Sequence, residues 1–577
     1  MTAADVAVGA TGMLHTLNQA GLLDVANVHV AQRICALGEE SDERVALALA
    51  LVVRALRSGS VCVDLTTIAG TVAADGLPEP SEWLAALQAS RLLADPPVLH
   101  LYDDRLLYLD RYWREEKQVC DDLLALLAVR PPAALAELTR LFPAGFEEQR
   151  AAADIALAQA VTVLTGGPGT GKTTTVARLL AALAEQAELA GMTRPRIALA
   201  APTGKAAARL QEAVAREVAE LDAADRARLG ELHATTLHRL LGAKPRTSSR
   251  FRHDHANRLP HEVIVVDETS MVSLTMMARL LEAVRPGARL VLVGDAGQLA
   301  SVDAGAVLAD VVDGFSARDD VRVASLRSVH RFGESIGALA ESVRTGDADR
   351  MLALLKSGNE HLEFIGDDDP APALRPVLLP HALRLRECAL SGAKDQALAV
   401  LDEHRLLCAH RRGPFGMQRW NQQVRRWLSE EAGMPPWAEW YPGRPLLVTA
   451  NDYGLRLYNG DAGVVVAGPD GLQAVFAGAT GPLDFSTSRL SDVETMHAMT
   501  IHKSQGSQAD EITVVMPSED SRLLTRELLY TAVTRAKRKV RVVGSEAALR
   551  AAIGRRAVRA SGLARRLEAA AGHGRHR

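Results

Sequence analysis

The sequence predicts an α/β protein with two parallel-sheet halves, a helical region ahead of them and a small all-β insertion in the second half. Three observations carry that prediction. From about residue 150, short apolar runs rich in β-branched residues alternate with helical stretches, as a sheet covered on both faces requires. A second series of such runs appears after residue 400. Between them, residues 442–495 are rich in Gly, Val and turn residues such as Asn459-Gly460-Asp461 and Pro469-Asp470-Gly471, which reads as a β insertion. At roughly 150 residues per domain, the chain of 577 residues holds about four folding units. Their expected bounds are 1–140, 141–335, 336–545 with the insertion at 442–495, and a helical, basic tail at 546–577.

Residues 1–140 read as mostly helical. Glu43 to Leu56 is an Ala/Leu-rich helix closed by Gly59-Ser60, and Val61 to Leu65 is a short extended piece. Leu106 to Leu109 is a strand leading into a helix from Asp110 to Ala128. Glu115-Glu116-Lys117 has the E-x-K spacing of a nuclease, but with no partnered Asp strand it reads as a solvated helix face. In the first half, the expected strands are Val161 to Leu164, Ile197 to Ala200, Val263 to Val266 and Leu290 to Val293. In the second they are Leu406 to Ala409, Ile512 to Val515 and Val540 to Val543.

Between the first of these strands and the next helix lies Gly166-Gly167-Pro168-Gly169-Thr170-Gly171-Lys172-Thr173-Thr174, a full P-loop signature. Its glycines let successive N–H groups turn inward around phosphate oxygens, and a helix N-terminus adds positive potential. Lys172 is expected to reach the β/γ-phosphates of ATP, and Thr173 to ligate Mg²⁺. A later strand delivers Asp267-Glu268. Asp267 suits the Mg²⁺ shell and Glu268 a general base that polarises the attacking water, so the chemistry is hydrolysis. Gln298, after Leu292 to Gly294, can sense the γ-phosphate through its amide. Arg331 (in Ser328-Val329-His330-Arg331-Phe332) and Arg535 (in Tyr530-Thr531-Ala532-Val533-Thr534-Arg535) suit arginine fingers, which would make closure of the two halves depend on ATP.

The ordered set resembles the motifs of superfamily 1 helicases, in the branch that moves 5′→3′, and within it the RecD family of RecBCD (exodeoxyribonuclease V) subunits. The resemblance covers about residues 145–545. It implies two RecA-like motor domains and an SH3-like barrel for the insertion. Gln149 resembles the family's adenine-reading glutamine. Ala201 to Ala207, with Thr203 and Lys205, and Thr235 to Gly242, with Thr236 and His238, resemble its first-domain DNA contacts. Thr500 to Ser507, with His502 and Lys503, resembles the motif that touches both DNA and nucleotide. Asn451-Asp452-Tyr453 and Asn459 to Gly463 resemble the start of the barrel, and residues 243–260 are expected to hold a hairpin near the strand-separation point. Gly59 to Leu65 and Leu107 to Glu116 resemble the family's N-terminal domain, which implies docking on a RecC-like partner in a heterotrimer with a RecB-like chain, acting on duplex ends in double-strand break repair and recombination. Two positions depart from the pattern: Gln508 stands where a Glu is usual, so the ribose contact loses its charge, with Glu511 the neighbouring acid that could compensate, and Ala300 stands where many of the superfamily have Pro, although the RecD branch tolerates Ala.

Composition bounds how such a protein holds DNA. Asp plus Glu is 70 and Lys plus Arg is 66, so the net charge of −4 excludes a bulk polycation. A content of 24% charged and 48% hydrophobic residues excludes a mostly disordered chain. Backbone contacts from hydroxyls, amides and a few lysines suit movement that must ignore sequence. Only nine residues are lysine, and Lys172, Lys205 and Lys503 all fall in motifs. Phe415, Trp420, Trp427, Trp437, Trp440, Tyr441, Tyr453 and Tyr458 are crowded into one stretch, which suits a second-domain core with one or two rings left to stack on bases. The five cysteines have no zinc or disulfide spacing, and no signal segment or membrane span is read, so a cytoplasmic enzyme is expected. Two readings compete with the RecBCD motor: a free-standing 5′→3′ helicase, and a structural subunit with a vestigial ATPase, against which the intact catalytic set argues. No nuclease arrangement is present, so degradation belongs to a partner.

Overall fold

The computed structural model describes residues 6–68, 77–131, 137–244, 250–328, 333–367, 369–435, 437–452, 454–469, 471–478 and 481–573. Its N-terminal part is helical, as expected: Gly12–Gln19, Val25–Leu37 and Glu43–Arg57 enclose an apolar core of their own. Asp42 starts the third helix by accepting from Arg44 N at 2.8 Å. That helix buries every residue from Leu47 to Val53, which is why its sequence is apolar on nearly all sides. A three-stranded antiparallel sheet follows, with β1 (Val63–Asp64), β2 (Leu99–Tyr102) and β3 (Leu106–Leu109) in the order β1-β3-β2. Asp103 and Asp104 close the β2–β3 hairpin at φ of 56° and 46°, the left-handed geometry that matches strand twist.

The first half is a six-stranded, all-parallel sheet of β4 (Val161–Gly166), β5 (Ile197–Ala201), β6 (Ala234–Thr236), β7 (Val263–Val266), β8 (Arg289–Gly294) and β9 (Ala324–Leu326). Its order is β6-β5-β7-β8-β4-β9. The second half is a five-stranded parallel sheet, β10-β19-β18-β11-β17, from β10 (Leu362–Ile365), β11 (His404–Cys408), β17 (Ala498–Thr500), β18 (Ala509–Val515) and β19 (Ala536–Val543). Between β11 and β17 lies an antiparallel sheet of β12 (Pro445–Val448), β13 (Ala462–Gly468), β14 (Gly471–Gly478), β15 (Gly481–Ser486) and β16 (Val493–Thr495). Its order is β15-β14-β13-β12-β16, and among the described residues no ladder joins its edges. The molecule is therefore mixed α/β with a parallel-sheet core and a helical N-terminus. Among the described residues no helix is long and apolar enough to cross a membrane.

Two expectations need correction. Glu115 and Glu116 are not a solvated face. Glu116 is fully buried and accepts from Tyr108 Oη (2.9 Å), Ser561 Oγ (3.0 Å), Gly562 N (3.1 Å) and Arg566 Nε (2.9 Å). Apolar neighbours remove water, and the carboxylate survives there because the C-terminal segment supplies its donors. Nor is 546–577 a simple basic tail. The helix Glu546–Gly554 stays with the second half, whereas Leu563–His573 crosses back and buries Leu563 and Leu567 in the core of the first. In the hairpin candidate at 243–260, Ala243 bridges Phe251 in antiparallel fashion, and Phe251 and Leu259 are buried in that same core. Residues 245–249 of that candidate lie outside the described residues.

Candidate active site

The phosphate loop is built by β4 and the helix Lys172–Leu189. Gly169 and Gly171 have φ of 83° and 86°, open to glycine at no steric cost. A side chain at Gly166 would stand 2.7 Å from Thr170 Oγ1 and 2.8 Å from the Leu326 carbonyl. Gly171 caps the helix without a side chain, so the first-turn N–H groups face the hollow of the loop. Lys172 Nζ curls into that hollow and donates to the carbonyls of Gly166 (2.6 Å) and Gly167 (2.9 Å). Gln149 is buried behind the loop, its Nε2 3.3 Å from the Thr170 carbonyl. Pro168 lies in the turn and Thr173 in the helix's first turn. The hydroxyl of Thr174 is turned away, donating to Glu217 at 2.8 Å, so only its backbone faces the loop.

β7 ends in Asp267-Glu268 beside this loop. Asp267 Oδ1 accepts from Glu268 N at 2.9 Å. Burial, then the charge of Glu268, pushes Asp267 upward, while Lys172 and Arg209 pull it back. Glu268 has φ 50°, a left-handed geometry unfavourable for a residue with a β-carbon, and it aims the second carboxylate differently from the first. Gln298 is buried after β8. Its Nε2 donates to Asp295 Oδ2 at 3.1 Å, and its Oε1 has no partner among the described residues. An orphaned acceptor suits a water's O–H, not a phosphate oxygen. No cluster of three or more His, Cys, Asp or Glu able to hold a metal occurs among the described residues. A Mg²⁺ that arrives on a nucleotide needs only one or two protein oxygens, and Asp267 with Thr173 fits that set.

The second half supplies the opposite wall. Arg535 is almost fully buried. Burial lowers its pKa, and Glu268 is the first of the charges that oppose the shift. Its Nε donates to the Thr531 carbonyl at 3.0 Å. Tyr530 Oη donates to Asp295 Oδ2 at 3.0 Å and stands 3.1 Å from where a side chain on Gly167 would begin. Further bonds cross the cleft: Leu299 N to Thr531 Oγ1 (2.9 Å), Gln505 Nε2 to the Leu299 carbonyl (2.8 Å) and Arg209 Nη2 to Gln508 Oε1 (2.6 Å). Glu511 does not stand in for the missing acid, because it is paired with Arg541 at 2.7 Å. Arg331 lies outside the described residues. Tyr530, Asp295 and Arg209 were not singled out by the sequence. The first two sit inside motifs already noticed, whereas Arg209 carries no signal beyond being one arginine among many.

The expected DNA contacts divide into two kinds. Thr203 and Thr236 lie where β5 and β6 end side by side, and each caps the helix after it, accepting from Ala206 N and Arg239 N at 3.2 Å. His238 packs on Phe251, with ring centroids 5.9 Å apart, and burial lowers its pKa. Thr500 is buried on β17, and burial lowers His502 as well. Lys205 is pushed down to about 8 by burial and by Arg405, against the pull of Asp402 and Asp461. Tyr458 covers Gly204, where a β-carbon would fall 2.6 Å from the ring, and Lys503 Nζ donates to Asn459 Oδ1 at 2.7 Å. Lys205 and Lys503 thus both lie against the Tyr458–Asp461 turn that leads into β13. Among the crowded aromatics, Trp420, Trp427 and Tyr441 are core, Phe415 packs beside them, Arg444 stacks on Trp440 at 4.5 Å, and Trp437 is 83% exposed. Tyr453 lies outside the described residues.

Three family models match the chain: the N-terminal domain of RecBCD enzyme subunit RecD over residues 19–106, an AAA domain over 149–304, and a UvrD-like helicase C-terminal domain over 495–543. Among curated relatives, the RecBCD enzyme subunit RecD of Mycobacterium tuberculosis is 75% identical over 98% of this chain and 99% of that one. The same subunit of Mycolicibacterium smegmatis is 68% identical over 96% and 98%. An ATP-dependent RecD2 DNA helicase of Deinococcus radiodurans is 31% identical over 80% of this chain and 59% of its own length.

Proposed function

The chain belongs to the RecD family of RecBCD enzyme subunits, and from that membership we propose a 5′→3′ single-strand DNA motor, driven by ATP hydrolysis, working with RecB-like and RecC-like chains at duplex ends. The observation that carries this reading is the composite cleft: Lys172, Asp267 and Glu268 come from one parallel sheet, and Arg535 from the other, buried where Glu268's charge acts on it.

In this reading ATP binds with its adenine at Gln149 and its phosphates over Gly166 to Thr174. Lys172 neutralises the β/γ-phosphates. A Mg²⁺ held by Thr173 and Asp267 would supply Lewis-acid stabilisation of the phosphate charge. Glu268 takes a proton from the attacking water, whose other hydrogen is accepted by Gln298 Oε1. Arg535, with Arg331, stabilises charge on the transferring phosphoryl group, so hydrolysis is completed only when the halves are closed. Gln508 contributes its NH₂ to a ribose hydroxyl. Thr203, Lys205, Thr236, His238, Thr500, His502 and Lys503 line the path of the DNA backbone. The antiparallel sheet is read as the SH3-like barrel, and the helical N-terminal region as the surface that docks on a RecC-like chain; the nuclease activity of the complex belongs to a partner.

Lys172→Gln tests the assignment. DNA-dependent ATP hydrolysis should disappear while the circular dichroism spectrum is kept, and retained hydrolysis would overturn it. Unwinding of 5′-tailed but not 3′-tailed duplexes by the complex tests direction.

A further inference from the structure

Arg209 lies on the helix Gly204–Ala219 of the first half, half-buried. It reaches across the cleft to the Gly506–Gln508 turn of the second, with Nη2 2.6 Å from Gln508 Oε1 and Nη1 3.5 Å from the Gly506 carbonyl. That turn lies flat on the helix. Gly506 has φ +70°, and a β-carbon there would sit 3.6 Å from that of Ala206. The charge of the guanidinium also acts on both Asp267 and Arg535.

We propose that Arg209 is a positioning residue for hydrolysis, a latch that holds the Gly506–Gln508 turn against the first half and so sets how Arg535 meets Glu268. This rests on the ATPase reading above. Two features give the latch its character. First, its acceptor is a neutral amide. The arginine already carries charge, and a carboxylate at 508 would add the opposite one, making an ion pair of the bond. The glutamine therefore makes a latch that releases readily at each turnover. Second, Arg209 and Arg535 are like charges in one cleft. Closure brings them together, and an anionic triphosphate between the walls offsets that repulsion. Closure is thereby made dependent on nucleotide, while the Gln508 oxygen is kept occupied and its NH₂ left to donate.

The test is a double-mutant cycle on the DNA-dependent ATPase of the full chain. Arg209→Ala should lower kcat/KM about tenfold with the melting temperature unchanged. Gln508→Glu should lower the KM for ATP about fivefold and lower kcat, because reopening becomes slower. In the Arg209→Ala background, Gln508→Glu should keep only what it changes at the ribose, so its KM shift should be clearly smaller than in wild type. Arg209→Lys should restore kcat in part, since an ammonium reaches one acceptor but not two. The latch is overturned if Gln508→Glu shifts KM equally in both backgrounds, or if Arg209→Ala hydrolyses at the wild-type rate. Should Arg209→Ala fail to fold, Arg209→Met, which keeps the stem and removes the charge and the donors, takes its place in the cycle, and a Gln508→Glu shift as large there as in wild type also overturns the latch. Lys172→Gln in the same assay separates the two claims. If it is active, the ATPase reading falls; if it is dead while Arg209→Ala is normal, only the latch does.

Discussion

The first half of the chain meets its neighbours through two joints of opposite construction. At the cleft, single polar bonds run from Tyr530 to Asp295, between Thr531 and Leu299, from Gln505 to Leu299 and from Arg209 to Gln508, and one leucine of the first half, Leu299, is buried in the second half's core. At the other joint, the Leu563–His573 helix buries Leu563 and Leu567 beside Val311 and Phe315, close enough that a β-carbon on Gly314 would fall 2.8 Å from Leu567 Cβ. Glu116 meets Arg566 there, and Arg559 donates to the carbonyls of Ser301, Asp303 and Gly305, just past Gln298. Val61 N and Ser60 Oγ bind Ala560 from the N-terminal side. The difference follows from what water can replace. Hydrogen bonds exchange with solvent at a net cost of about 1 kcal/mol each, whereas burial of leucines and of an ion pair does not reverse so cheaply. The cleft is the joint that can part at low cost, and the C-terminal strap is the joint that stays fixed.

The sharpest way to break that contrast is Glu116→Ala. It leaves the Arg566 guanidinium, 10% exposed, without its countercharge, and loss of one partner of a buried pair costs about 3–5 kcal/mol. Urea unfolding should show this loss, and limited proteolysis should release the C-terminal helix. A wild-type midpoint would mean that the strap is not the fixed joint. Leu567→Ala comes next, at about 2–4 kcal/mol for a fully buried leucine. It should loosen the same helix while leaving the KM for ATP unchanged, and a change in KM would show that the strap also acts on the cleft.

Acid should weaken the second half and spare the strap. His381, His404 and His497 surround a cavity of about 20 Å³, room for one water. His381 Nε2 is 2.8 Å from the Val400 carbonyl, His404 Nε2 is 2.9 Å from Thr513 Oγ1, and His497 Nε2 is 2.9 Å from Tyr441 Oη. Burial depresses all three, His497 to about 3, and neighbouring Arg405, Arg425, Arg444 and Arg541 push in the same direction. The unfolded chain then binds more protons than the folded one. The associated stability is complete above the ordinary histidine value near 6.5 and is lost as pH falls toward the folded values, at up to about 1.4 kcal/mol per pH unit for each histidine. His404→Gln should flatten the fall in unfolding free energy between pH 6.5 and 5.5 by about 1 kcal/mol. An unchanged slope would assign the titration to other groups.

Much of the core and of the phosphate site was legible because both are written locally. Val263 to Val266 is an uninterrupted apolar strand, and it was read with its observed bounds. What escaped was written in tertiary contact. β6 and β9 are three residues each and half polar, with too little periodicity to stand out. β2 escaped because its hairpin is closed by Asp103-Asp104 instead of a glycine turn. Glu116 looked solvated because helical spacing alone cannot reveal that Ser561, Gly562 and Arg566, more than 440 positions away, come to meet it. Arg209 lies in no recognisable motif, and only the approach of the second half gives it a partner.

The smallest expected effect on stability tests the cleft itself. Tyr530→Phe removes one hydroxyl and nothing else. Asp295 keeps its bonds from Gln298 Nε2 and Gly297 N, so the carboxylate is not orphaned. The cost to stability should be about 1 kcal/mol or less, within reach of a careful urea titration. The effect on turnover should be larger than that figure suggests. Tyr530 is the bond from the second half that lands on the residue holding Gln298, so its loss frees the glutamine's oxygen from the position in which it is proposed to orient the water. The ATPase should therefore lose kcat with little change in KM, the reverse of what a weaker grip on ATP would give. A variant that melts several degrees early but hydrolyses normally would place Tyr530 with the strap residues, as structure, and would erase the distinction between the two joints at that point.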